Sequence, residues 1–342
     1  MKKKVIVTGG TGYIGSHTAV ELIADGFEVV IIDNLYNSDI TVLDGIQAIT
    51  GIRPKFYDYD ICDRSKLKEV FIAEGRIDAI IHFAAYKAVG ESVHKPLEYY
   101  RNNLVSLMNL LDMMEQHGDP ALVFSSSCTI YGQPDVLPVT ETSPVKEAAS
   151  PYGYTKQAGE IIIRDTMAAR QAQKAISLRY FNPVGAHPTA YIGELPRGVP
   201  ENLVPFITQT VIGLRDELKV FGTDYDTPDG SCIRDYLHVV DLAKAHVVAL
   251  KRLIEGRNKD NYEVFNLGTG KGVSVLEAIA AFERATGEKV RYSVTARREG
   301  DIEKIWADPS LANRELNWKT EITLEEAMET AWRWEKKIKN KS

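Results

Sequence analysis

The stretch Lys4-Val5-Ile6-Val7-Thr8, running directly into Gly9-Gly10-Thr11-Gly12-Tyr13-Ile14-Gly15, decides the fold of this chain. A short β-branched run closed by glycines reads as a buried strand, and the pattern over 13–25 reads as a helix. Glycines 9, 12 and 15 therefore fall at a strand-to-helix junction. Gly9 permits the tight turn, Gly12 lets backbone amides approach a pyrophosphate, and Gly15 lets the helix pack closely on the sheet. A glycine triplet alone is more often an ordinary loop. The strand before it and the helix after it reverse those odds, so Gly9, Gly12, Tyr13, Ile14 and Gly15 are expected to hold a dinucleotide.

Outward from this junction the alternation continues. Strands are expected over 28–33, 79–84, 122–126 and 175–180, and helices over 103–116 and 152–171. That order predicts an α/β chain with a Rossmann-type, doubly wound parallel sheet. After Asn182 the pattern changes, because 183–205 is rich in Pro and Gly and reads as a long ordered loop opening a smaller α/β C-terminal substrate lobe. Residues 235–240 read as a strand returning to the sheet and 241–255 as a helix. Two late helices begin with capping boxes, Ser274 with Glu277 and Thr323 with Glu326. The expected division is 1–182, rejoined by 235–256, as the dinucleotide lobe, with 183–234 and 257–342 as the substrate lobe.

The 342 residues are 44% hydrophobic and 26% charged, enough to bury a substantial core. A formal charge of -6 with both signs interspersed argues against nucleic acid or an anionic membrane as partner and leaves small molecules. Lys2, Lys3 and Lys4 resemble the start of a signal peptide, but the apolar run behind them breaks at Thr8-Gly9-Gly10. No later apolar stretch is long enough to span a bilayer, and Cys62, Cys128 and Cys232 are odd in number and scattered, so a reduced, cytoplasmic setting is expected. The seven histidines show no ligand spacing, and no metal is expected.

Asp33 closes the second strand, where a carboxylate accepts from a ribose hydroxyl and repels a 2'-phosphate, which favours NAD over NADP. The plainer alternative is that Asp33 caps a turn with Asn34. Asp60 and Ile61 end the next expected strand, in reach of the adenine edge. Tyr152 and Lys156 stand four apart at the start of a helix, so both project from one face. A phenol of pKa about 10 becomes a usable base when a neighbouring ammonium and a cationic nicotinamide favour its phenolate. Tyr-x-x-x-Lys alone is weak, but here it accompanies the glycine junction and the serine-rich strand end Phe124-Ser125-Ser126-Ser127, where Ser127 can bond the reacting oxygen. Cys128 has no histidine near it in sequence and reads as a small core residue; His82, His187 and His238 read as structural.

Six segments together resemble one family, the extended short-chain dehydrogenase/reductases, and within it the UDP-galactose 4-epimerases. They are VTGGTGYIGSHT (7–18), HFAAYKAVGESVHKPLEYY (82–100), SPYGYTK (150–156), RYFNPVGAHP (179–188), RDYLH (234–238) and RREGD (297–301), and the resemblance spans nearly the whole chain. It implies reversible 4-epimerisation of UDP-glucose and UDP-galactose through a 4-keto sugar, with tightly bound NAD and no net redox change. It implies Tyr152 as base, Lys156 on the nicotinamide ribose and lowering the phenol's pKa, and Ser127 at O4. Asn34, Asn37 and Ser38 beside Asp33, with Phe83, Ala84, Ala85, Lys87, Asn102 and Phe181, match the NAD cleft. Asn182, Asn202, Leu203, Phe221, Arg234, Tyr236, Arg298 and Asp301, again with Lys87, match the UDP-sugar site. Related 4,6-dehydratases carry an Asp-Glu pair after the strand-end serine, where this chain has Cys128-Thr129, so dehydration lacks its acid. Ile305 matches the position that gates the sugar pocket; the alternative is that Ile305 packs into the lobe core and the adjacent Trp306 controls access. The resemblance also implies a homodimer, through a helix whose Leu104, Leu107, Leu111 and Met114 form one stripe while Val105, Met108 and Met113 fall on other faces. On the residues alone, two competitors stand beside this reading: another oxidoreductase or dehydratase on the same scaffold, and a non-catalytic NAD-binding regulator.

Overall fold

Residues 2–298 and 301–340 are described by a computed structural model. Met1, Lys341, Ser342 and the Glu299-Gly300 pair inside RREGD lie outside the described residues. Seven parallel strands form the central sheet: β1 (Lys4–Thr8), β2 (Glu28–Asp33), β3 (Lys55–Asp58), β4 (Ala79–His82), β5 (Ala121–Ser127), β6 (Ala175–Tyr180) and β7 (Tyr262–Leu267). Their order is β7-β6-β5-β4-β1-β2-β3. The chain reverses direction across the sheet between β1 and β4, the crevice where doubly wound sheets bind ligands.

Alternating side chains feed two layers. Val5, Val7, Val29, Ile31, Ala79 and Ile81 join one core cluster, and Ile6, Val30, Ile32 and Ile80 join the other. Both faces are covered, as a parallel sheet requires. Helix α1 (Tyr13–Ala24) packs against α4 (Val239–Ile254) on one face, and α2 (Ser106–Gln116) and α3 (Pro151–Ala169) cover the other. A third cluster, built on Val204, Ile207, Ala278, Phe282, Met328 and Trp332, forms the smaller lobe. Its helices Val275–Thr286 and Leu324–Lys339 both open with complete capping boxes, at Ser274/Glu277 and Thr323/Glu326.

Three expectations need correction. The strand read over 235–240 is Tyr236–His238, and it does not rejoin the sheet. It pairs in parallel with Asn182–Val184, a short strand inside what reads as loop, and the helix of this region begins at Val239. Second, the return to the sheet does not stop at 256, because Tyr262–Leu267 pairs with Ala175–Tyr180 and closes the sheet edge. Third, the helix over 103–116 starts as a π turn, Arg101–Val105, before becoming α-helical at Ser106. The stripe Leu107, Leu111 and Met114, with Met113, is spent on the chain's own core, and Met108 faces outward.

Candidate active site

The glycine junction leaves no room for side chains. A Cβ on Gly9, which has φ +69°, would stand 2.8 Å from the Ala84 nitrogen, and one on Gly15 would stand 2.2 Å from the Gly9 carbonyl oxygen. Backbone from two neighbouring strand ends is thereby brought together at the sheet's switch point. Gly12 precedes α1 with no side chain capping the helix and no acid in its first turn, so the amide-rich, positive end is open to an anion. These features fit a dinucleotide pyrophosphate.

Asp33 stands beside this turn. One carboxylate oxygen accepts from the Thr11 N–H at 3.2 Å, and the other accepts from the Leu35 N–H at 2.9 Å and the Ser38 hydroxyl at 3.1 Å. The acid thus organises the 34–38 loop as well as offering an acceptor. Asp60 and Ile61 lie in the turn beyond β3, which ends at Asp58; Asp60 there accepts from the Cys62 N–H. Phe83 packs on the first core and against the His246 ring, 4.7 Å between centroids, and Phe181 is buried in the same core.

Tyr152 and Lys156 occupy the first turns of α3, where Pro151 takes the first helical position and the Ser150 hydroxyl accepts from the Gly153 N–H. Gly159 lets this helix sit directly on Phe124, since a Cβ there would come 2.9 Å from the ring. The Lys156 ammonium donates to the Ser125 carbonyl at 2.6 Å and lies 5.8 Å from the Tyr152 ring centre. The Ser127 side chain, two residues along the same strand, is near enough to the Tyr152 phenol to favour its ionised form, and its hydroxyl accepts from the Thr129 N–H at 3.2 Å. Burial pushes that phenol up to about 12 against the opposing influence of the Ser127 hydroxyl, and burial lowers Lys156 to about 8 against the pull of Glu160. The expected lowering of the phenol by Lys156 is not what sets its shift here, which burial dominates. Desolvation is the dominant influence on both groups of the pair.

Sequence reading missed the framework behind this pair. Arg179 of the RYF segment forms a forked ion pair with Glu160 at 2.9 and 2.6 Å, and the Ser126 hydroxyl donates to the same carboxylate at 2.5 Å. This buried triad locks α3 to β5 and β6. Asn103 donates to Thr155 Oγ1 at 3.0 Å and accepts from the Tyr86 N–H at 2.8 Å, tying the 83–88 loop to the same helix. Only the SPYGYTK and RYF neighbourhoods pointed toward these residues.

The residues expected on the UDP-sugar side divide. Arg298 donates to Asp301 at 2.6 Å and lies over the Phe221 ring at 5.5 Å, while Arg234 stands 3.9 Å from the same carboxylate. Asn182 carries a buried side-chain oxygen with no partner among the described residues. Lys87 and Asn202 both donate to Glu194, at 3.3 and 2.6 Å, an acid no sequence motif singled out. Leu203 begins the helix Leu203–Val211 at this point. Tyr236 and Ile305 are buried in the cores of the small lobe and the sheet respectively. Burial pushes the Cys128 thiol up to about 12, which keeps it protonated. His82 meets Thr8 Oγ1, His187 meets Thr189, and His238 meets Thr330 while capping the helix after it. A cleft of about 710 Å³ opens elsewhere, beside Glu21, Lys244, Lys251 and Trp318, and holds none of these residues.

Three comparisons bear on this geometry. The chain matches the family described as GDP-mannose 4,6 dehydratase over residues 6–331. It is 50% identical over 337 residues to UDP-glucose 4-epimerase 2 of Arabidopsis thaliana, covering 98% of this chain and 95% of that protein. The crystal structure of UDP-glucose-4-epimerase from Stenotrophomonas maltophila, with bound NAD and formylated UDP-arabinopyranose, superimposes with a TM-score of 0.95 at 47% identity over 99% of this chain and 100% of that one. The corresponding enzyme of Bifidobacterium longum, in complex with NAD+ and UDP, gives 0.94 at 46% identity over 99% of each chain.

Proposed function

The chain belongs to the UDP-glucose 4-epimerases of the extended short-chain dehydrogenase/reductase family, and from that premise we infer that it interconverts UDP-glucose and UDP-galactose with retained NAD. The observation that carries the reading is the buried Tyr152 phenol beside Ser127 at the end of β5, one helical turn from Lys156, whose ammonium lies 5.8 Å from the tyrosine ring centre. Bound NAD supplies the reversible two-electron oxidation at hexose C4, held through Gly12, Asp33, the 34–38 loop and Lys156. Tyr152 takes the O4 proton as the 4-keto sugar forms and returns it when the alcohol of opposite configuration forms, with Ser127 bonding that oxygen. Arg234, Arg298 and Asn182 anchor the UDP, a guanidinium fork being suited to pyrophosphate. Binding energy placed on the nucleotide retains the ketone, and a loosely held hexose turns about its bond to phosphate before reduction on the other face.

In this reading 1–182 with 235–267 forms the cofactor lobe, and 183–234 with the residues after 267 forms the UDP-sugar lobe. Among the described residues no helix is long and apolar enough to cross a membrane, and a cytoplasmic location suits a small-molecule enzyme with three free cysteines. The homodimer is inferred from apolar side chains left outside the core around α2 and α3, Leu97, Met108 and Ile161, exposed by 64%, 45% and 49%. A monomer mass by sedimentation at micromolar concentration refutes it. For the activity, purified protein supplied with UDP-galactose should yield UDP-glucose with no accumulating NADH. Stoichiometric NADH, or a product that has lost water, overturns the assignment.

A further inference from the structure

Residues 185–202 cross from the small lobe onto the cofactor lobe as a strap held by four contacts, three to the cofactor lobe and one, from Trp334, back to the small lobe. The Tyr13 hydroxyl donates to the Gly185 carbonyl at 2.6 Å. Gly45, in the helix Val42–Thr50, passes so close that a Cβ would stand 2.4 Å from the Tyr191 carbonyl oxygen. The Trp334 indole donates to the Glu194 carbonyl at 2.7 Å. The fourth contact is Arg197, whose fork donates to two backbone carbonyls two residues apart, Tyr36 at 3.1 Å and Ser38.

Those carbonyls belong to the loop that follows Asp33. Its inner side is fixed by the Asp33 carboxylate, through the Leu35 N–H and the Ser38 hydroxyl, and by the Thr11–Ser38 hydroxyl pair at 2.7 Å. Within it Leu35 adopts φ +56°, a strained conformation for a branched residue that persists only when its surroundings hold it. Arg197 provides the hold on the outer side, from about 160 positions further along the chain. Two converging N–H donors satisfy two carbonyls at once, which a lysine's single ammonium cannot reproduce with the same geometry.

We infer that Arg197 is a positioning residue for the cofactor: it clamps the 34–38 loop in its ribose-binding shape and slows the loss of NAD. The inference rests on the reading of Asp33 to Ser38 as the ribose site. Arg197 is itself exposed and none of its bonds reaches Tyr152, Lys156 or the Arg234–Arg298 cluster. A mere surface staple would alter stability evenly, whereas a cofactor clamp changes NAD retention and leaves UDP binding alone.

The test compares wild-type holoenzyme with Arg197→Met, Arg197→Lys and Asp33→Ala. NAD retained per chain after dialysis and the rate of NAD release under an ADP-ribose chase are measured, with calorimetric UDP binding as control. Arg197→Met should release NAD about tenfold faster, Arg197→Lys should lie between it and wild type, and both should bind UDP as wild type does. Wild-type release from Arg197→Met alongside fast release from Asp33→Ala overturns the inference and leaves the ribose reading standing. Wild-type release from Asp33→Ala as well removes the ribose reading and the inference with it. Parallel losses of NAD and UDP in both Arg197 variants would assign the residue to general stability and overturn the inference too.

Discussion

The two halves of the cleft are made of different material. At the cofactor junction the groups are backbone from two neighbouring strand ends, so tightly packed that a methyl group on Gly15 would lie 2.2 Å from a carbonyl oxygen. Across the cleft the groups are the ends of side chains from separate segments, Asn202, Phe221, Arg234, Arg298 and Asp301, with Phe221 39% exposed and Arg298 paired at the surface. The first half is fixed by sterics and the second by adjustable charge. An enzyme that keeps its cofactor while its substrate turns over needs that division: a grip that cannot relax on one side, and re-aimable contacts on the other.

Tyr152 is the proposed base, and removing its hydroxyl gives the largest expected effect. Tyr152→Phe should lower kcat by about 10²–10⁴-fold, the usual worth of a positioned acid–base group, while calorimetric UDP binding stays at the wild-type value. Near-wild-type turnover would remove the proposed base. Difference titration sharpens the point: with burial holding the phenol near 12, its titration should move down on NAD loading. An unchanged phenol in the loaded enzyme would break the link between the two halves.

Acid should separate the halves next. His17, His82, His238 and His246 are buried in the layers around the sheet, and burial lowers them to about 3, 3, 4 and 4. Above the unfolded value near 6.5 they are neutral in both states and contribute nothing. Below it the unfolded chain takes up protons that the folded chain refuses, so stability falls as pH drops from about 6.5 toward 4, by about 1.4 kcal/mol per pH unit for each histidine. Thermal unfolding of the holoenzyme should show a steep decline between pH 7 and 5. A flat profile would mean that the cofactor half is wetter than its packing indicates.

Smaller in size but sharper in location is Gly15→Ala. The added methyl meets the Gly9 carbonyl and Gly10 Cα, both backbone, so neither can swing aside. Overpacking of this kind costs about 1–3 kcal/mol, and copurified NAD should fall with it. Arg298→Ala is the matched change across the cleft: about a tenfold weaker UDP affinity, on the order of 1.4 kcal/mol, at unchanged melting temperature. If Arg298→Ala melted like Gly15→Ala, the contrast between a rigid half and an adjustable half would be wrong.

The same contrast explains what the sequence reveals. Glycines 9, 12 and 15 and the capping boxes at Ser274 and Thr323 depend on neighbours a few residues away, so their signals are local and the structure reproduces them. Tyr236–His238 has a strand's composition, but its partner Asn182–Val184 lies some fifty positions back, and nothing near either segment says they pair with each other rather than with the sheet. Tyr262–Leu267 follows the small-lobe segments in sequence yet hydrogen-bonds to Ala175–Tyr180. Glu194, Glu160 and Arg197 are ordinary charged residues until the fold brings their partners to them. Backbone chemistry is written in the chain; side-chain assemblies are written in the topology.

The smallest expected effect tests where adjustability ends. Ile305 is 2% exposed, its N–H donates to the Ile233 carbonyl at 3.2 Å, and its side chain lies in the sheet's core cluster. The neighbouring Trp306 is half-buried over Gly272, where a Cβ would lie 2.8 Å from its ring. A gate at Ile305 is therefore a β-branched, stiff side chain backed by a packed core, and the room it leaves beside a hexose changes only in small steps. Differences of a methylene or so in a pocket alter selectivity by about 1–3 kcal/mol, so turnover of UDP-GlcNAc relative to UDP-glucose should be graded and not absolute. Ile305→Ala should raise that ratio and Ile305→Tyr should lower it, each by roughly tenfold. The larger ring also strains the core behind it, so melting temperatures are measured alongside to separate selectivity from stability. Equal ratios in wild type and both variants would show that Ile305 serves packing alone, placing the control of sugar size on Trp306 and returning this position to the rigid side of the comparison.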